Sequence, residues 1–118
     1  MPNTDPVNDS PAVTRFILEQ GERAGLANVF PIGALTKGSE GRELSEMGEL
    51  KNAGIVAVSD DGRSVPNAGM MRRAMEYAHV FDLTVVDHCQ DQSLSAGGVM
   101  HEGRWSLILG LRGMPATA

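Results

Sequence analysis

The chain has 118 residues, with 10 Lys and Arg against 15 Asp and Glu for a formal charge of −5, and 42% of its residues are hydrophobic. Those values fit one small acidic folded unit and exclude a disordered tail, a collagen-like repeat and a coiled coil. With aromatics at only 4% and no basic excess, the chain lacks the cationic patches and stacking rings that nucleic-acid binding requires.

The opening MPNTDPVNDSP has neither a basic nor an apolar leader region, and no stretch approaches the roughly 18 apolar residues of a membrane span. The single cysteine, Cys89, cannot close an internal disulfide, which suits a reducing cytoplasm. Ser10 is placed to cap a first helix with Pro11 at its opening position. Val13, Phe16, Ile17 and Gln20 share one face of it, and Gly25 closes it. The run from Asn28 to Leu35 reads as a first strand. A short helix around Leu44, Met47, Leu50 and Lys51 then ends at Gly54, a residue suited to a left-handed cap.

GIVAVS from Gly54 to Ser59 reads as a second strand and LTVVD from Leu83 to Asp87 as a third. Because their apolar runs are continuous rather than alternating, both faces of each are expected to be buried, as in parallel strands covered by helices. Between them a third helix from about Pro66 to Val80 carries Met70, Met71, Ala74, Met75 and Ala78 at helical spacing, read as core. Alternating helices and strands imply a parallel α/β fold. After the third strand the pattern breaks into a polar, Gly-rich excursion, DQSLSAGGVMHEG, and a short amphipathic stretch, RWSLILGLRG. Excursions longer than about 12 residues are more often functional than idle.

Ligands of parallel α/β folds sit at the carboxyl ends of the strands. There the second strand delivers Ser59-Asp60-Asp61-Gly62 and the third Asp87-His88-Cys89-Gln90-Asp91. Imidazole and carboxylate together suit a hydrolytic Zn²⁺ site. Each piece alone reads equally as something plainer: Asp-Asp-Gly as a capped turn, with Asp60 supporting Asp61 or the turn, and His88 as a locally hydrogen-bonded side chain. His79 suits a helix C-terminus, His101 a surface loop, and Cys89 a buried bystander beside His88. Lys37-Gly38-Ser39-Glu40-Gly41 lacks the ending of a phosphate loop and is set aside.

In order along the chain, MPNT, FPIGALTKG, ELKNAGIVAVSDDG, GMMRRAMEYA, DHCQD and GLRGMP resemble the bacterial class I dihydroorotases of the amidohydrolase superfamily, collinearly from Met1 to about Pro115. The resemblance implies a zinc hydrolase that interconverts N-carbamoyl-L-aspartate and L-dihydroorotate in pyrimidine biosynthesis, with one or two zinc ions in the complete enzyme. It implies a fold of class α/β, a partial (β/α)8 TIM barrel. Residues 1–118 would then be an incomplete barrel domain of about four units, from the end of strand two to about unit five. Carried over residue by residue, Asp61 and His88 match metal ligands and Asn3 of MPNT matches a contact to the substrate. Related dihydropyrimidinases and allantoinases typically carry a carboxylated lysine where this chain has Asp61.

The family's His-x-His pair, a further His and the Asp that serves as general base have no counterpart here. The resemblance therefore implies that no catalytic base lies within the chain and that it is inactive alone. Two other readings compete. One is a non-catalytic dihydroorotase-like scaffold for aspartate transcarbamoylase. The other is a small receiver-like domain, which would need its acidic pair on the first strand. The implied partners are the small-molecule substrate and either a second copy or aspartate transcarbamoylase, with no nucleic acid and no membrane.

Overall fold

Pro11 fixes the backbone angle that opens the first helix, α1 (Pro11–Ala24), and Gly25 ends it in the left-handed conformation at φ 63°. Ser10 occupies the cap position but its side chain makes no capping bond. The expected apolar face of α1 is also not where the helix is buried. Thr14 is its buried residue, whereas Phe16 is 61% exposed. A hydrogen bond explains the difference, because Thr14 Oγ1 donates to Asn8 Oδ1 at 2.7 Å and draws that side of the helix inward.

The structure, a computed structural model, describes residues 1–118 and divides into two units, Met1–His88 and Cys89–Ala118. In the first unit β1 (Ile32–Ala34), α2 (Met47–Ala53), β2 (Ala57–Ser59), α3 (Ala68–Val80) and β3 (Thr84–Val85) follow α1 in chain order. The strands form a parallel sheet in the order β1-β2-β3, with Gly33 opposite Val58 and Val58 opposite Val85. Each strand lies beside its predecessor and is reached through a helix, which is the expected α/β alternation. Gly54, at φ 112°, turns α2 into β2 as its sequence position suggested.

Leu35, Met47, Leu50, Ile55, Val58, Ala74, Ala78 and Leu83 form the core. β2 is buried along its whole length. β3 is not: Thr84 is exposed and Val85 half-buried, whereas β1, the other edge of the three-stranded sheet, buries Gly33 and Ala34. The methionine stripe of α3 needs a similar correction. Ala74 and Ala78 make the buried contact and Met71 packs against the core, while Met75, at the margin of the stripe, is 56% exposed.

The second unit contains more regular structure than its sequence suggested. α4 (Gln92–Ser95), β4 (Met100–His101), α5 (Arg104–Leu109) and β5 (Gly113–Met114) alternate, and β4 pairs in parallel with β5. The excursion is thus a small β/α unit rather than an irregular loop. Cys89 is exposed, contrary to the expectation of a buried thiol. No helix is long and apolar enough to cross a membrane.

Candidate functional site

At the carboxyl end of β2 the two consecutive aspartates have opposite fates. Asp60 is 4% exposed, and its Oδ1 accepts from the backbone N–H groups of Leu35 at 2.9 Å and Thr36 at 3.0 Å. Its Oδ2 accepts a short hydrogen bond from the Thr36 hydroxyl, and that hydroxyl oxygen accepts from the Gly41 N–H at 2.8 Å. A buried carboxylate is tolerable only when donors surround it, and here they all come from the chain leaving β1. Asp60 therefore ties the ends of two strands together. The sequence had suggested that it serves Asp61 or the local turn.

Strand alternation then turns Asp61 outward, with its side chain 32% exposed. A turn follows in which the Arg63 N–H donates to the Asp60 carbonyl at 2.8 Å and Gly62 takes φ 81°. His88 follows the end of β3, and its Nδ1 lies 3.8 Å from Asp61 Oδ1. Asn3 arrives from a third direction, with its Nδ2 donating to Asp61 Oδ2 at 3.2 Å. The three residues singled out from the sequence thus meet at one point, although 58 positions separate Asn3 from Asp61.

Asn3 is held in place by its neighbours rather than by its own burial. Pro2 and Asn8 are buried, and the Pro2 carbonyl accepts from the Asn8 N–H at 2.9 Å. Asn8 Nδ2 donates to the Ile32 carbonyl at 2.9 Å and the Asn8 carbonyl accepts from Ala34 N–H at 2.8 Å. The segment that carries Asn3 is therefore laced onto β1. Asn8 is the site-supporting residue that the sequence reading missed. A buried Asn near an α/β rim has no distinguishing sequence signal.

Aspartate oxygen and histidine nitrogen bind zinc at about 2.0–2.2 Å, so one ion can touch both Asp61 and His88 across their 3.8 Å separation. The donor chemistry fits, as half of a four-coordinate centre. No group of three or more His, Cys, Asp or Glu side chains is assembled to hold a metal. His79, in the last turn of α3, and His101, on β4, are exposed. The Lys37–Gly41 loop is already engaged with an anion of the chain itself, since Gly38 N–H donates to Asp9 Oδ2 at 2.9 Å. Lys37 pairs with Glu43 at 2.5 Å, and that hydrogen bond and charge raise its pKa above the ordinary lysine value.

A groove of about 530 Å³ between Leu18 and Phe30 lies toward the start of β1, at the opposite rim from Asp61. Asn3, Asp61 and His88 are grouped away from that groove, beyond the carboxyl ends of β2 and β3.

Residues 1–118 match the family model described as dihydro-orotase-like. Over all 118 residues the chain is 58% identical to the dihydroorotase of Pelotomaculum thermopropionicum, covering 27% of that protein. It is 58% identical to the dihydroorotase of Solibacter usitatus, covering 27% of it, and 53% identical to that of Acetivibrio thermocellus, covering 28%. The chain therefore spans little more than a quarter of the length of these curated relatives.

Proposed function

Since the chain belongs to the dihydro-orotase-like family, we propose that it is the part of a dihydroorotase that supplies two zinc ligands and a substrate contact for reversible hydrolysis of a cyclic amide. The observation that carries the reading is the convergence of Asp61, His88 and Asn3 at the carboxyl ends of parallel strands. The sequential order of the three parallel strands fits an arc of a barrel as its architecture.

In this reading the Asp61 carboxylate and the His88 imidazole hold the metal. Bound zinc supplies Lewis acidity toward a carbonyl and lowers the pKa of water. Asn3 faces the substrate with an amide that has a second N–H and a carbonyl oxygen beyond the bond to Asp61, suited to a carboxylate or a ring amide. Asp60 keeps the ends of β1 and β2 from separating, and the Val86 N–H, donating to the Val58 carbonyl at 2.9 Å, keeps the chain that carries His88 beside β2. With only two ligands and no general base, the 118 residues alone do not turn over substrate.

The test is a graft. The matching segment of the Pelotomaculum thermopropionicum dihydroorotase is replaced by these 118 residues, and zinc content and dihydroorotate hydrolysis are measured. The graft retains both, and His88→Ala within it lowers them together. Full zinc stoichiometry in the His88→Ala graft refutes the ligand assignment.

A further inference from the structure

Resting on that metal reading, we propose that Asn3 is a positioning residue for Asp61, in addition to facing substrate. The carboxylate's two oxygens have separate partners. Asn3 Nδ2 donates to Oδ2 at 3.2 Å, while Oδ1 lies 3.8 Å from His88 Nδ1. A carboxylate whose second oxygen is held by a donor presents the first in a fixed direction, and such outer partners of metal ligands typically govern affinity by about 10–100-fold.

Both ends of this contact stand on anchored backbone. On one side Pro2 is buried and its carbonyl is tied to Asn8, which is bonded to the carbonyl of Ile32 and the N–H of Ala34 on β1. On the other, Asp60 is fixed by Leu35 and Thr36 immediately before Asp61. Asn and Asp are short side chains with two torsions each, so little freedom remains once their backbones are set. The contact also closes a circuit. Asn8 fastens the Asn3 segment to β1, Asp60 fastens β1 to the end of β2, and Asn3 joins the segment back to Asp61. His88 alone comes from outside that circuit, on the chain leaving β3.

The proposal separates from a substrate contact alone through binding of metal without substrate. Zn²⁺ is titrated into the isotopically labelled 118-residue chain and followed at the His88 imidazole resonances. Asn3→Ala weakens the apparent zinc affinity about tenfold with an unchanged far-ultraviolet circular dichroism spectrum, and Asp61→Ala weakens it at least as much. In a zinc-free arm, Asp61→Ala shifts the side-chain amide protons of Asn3. Unaltered zinc affinity in Asn3→Ala, or Asn3 amide protons indifferent to Asp61→Ala, overturns the proposal. Zn²⁺ that leaves His88 unmoved in the unsubstituted chain overturns the metal reading instead, and the zinc-free arm then still decides whether Asn3 holds Asp61.

Discussion

The two units differ in what they bury. Residues Met1–His88 enclose Leu35, Met47, Leu50 and Val58 at 0–1% exposure, so the first unit has an interior in the ordinary sense. In Cys89–Ala118 the buried residues are Ser95 and Ser106, while Trp105, Leu107, Ile108 and Leu109 are 58–83% exposed. Those two serines are satisfied locally. Ser95 Oγ donates to the Asp91 carbonyl at 2.9 Å, and Ser106 Oγ accepts from Gly103 N–H at 3.0 Å and donates to the Gly103 carbonyl at 2.8 Å. Regular elements can thus be specified by caps and turns without an interior, but only packing gives them cooperative stability. α5 carries apolar side chains at Trp105, Leu107, Ile108 and Leu109, a pattern that ordinarily calls for cover on more than one side.

Substitutions can break this contrast or sharpen it. The largest effect is expected for Leu50→Ala, which empties the centre of the first unit's core and should cost about 4 kcal/mol in urea unfolding. Asp60→Ala should follow at about 2 kcal/mol, because it strips the acceptors from the buried Thr36 N–H and hydroxyl, while the Leu35 N–H keeps the Ser59 carbonyl. Amide exchange accelerated at Thr36 more than at Leu35 would identify the cause. Leu107→Ala, at 83% exposure, should change stability by less than about 0.5 kcal/mol. A loss comparable to that of Leu50→Ala would mean that the second unit has an interior after all.

The smallest effect is a pH response confined to α4. The Ser93 hydroxyl, followed by the Ser93 and Leu94 N–H groups, holds the Asp91 carboxyl below its ordinary value. A lowered folded value means that the cap contributes fully above the ordinary carboxylate range and is lost as pH falls through the lowered value. The Ser93 and Leu94 amide resonances should therefore move together in that acidic window, with the core resonances unchanged. Core resonances that moved in step would couple the two units more closely than their contents suggest.

Much of the first unit was legible because its punctuation is chemical. Pro11, Gly25 and Gly54 stand where a helix must open or close, and the apolar run through Val58 is long enough to demand cover on both faces. The meeting of Asp61 and His88 followed from strand ends, and Asn3 came from resemblance. The division of labour between Asp60 and Asp61 was hidden, since it depends on which way a strand's last residues face. Met75 and Thr84 were misplaced because periodicity marks an apolar stripe without stating how much of it a neighbour covers. β4 and β5 are two residues each, too short for any alternation to register.

The loop that leaves β1 is closed at its base. Thr36 bridges Leu44 in antiparallel fashion and Lys37 N–H donates to the Glu43 carbonyl at 2.8 Å, so the chain exits and re-enters the rim at nearly the same place. Inside that base the Thr36 hydroxyl, which donates to Asp60, accepts from Gly41 N–H at 2.8 Å, and Gly38 N–H donates to Asp9 at 2.9 Å. The loop is therefore wired into the same rim as Asp60. An insertion between residues 38 and 42 would be felt at the end of β2, so the tolerant stretch one expects of a surface loop is missing beside the site.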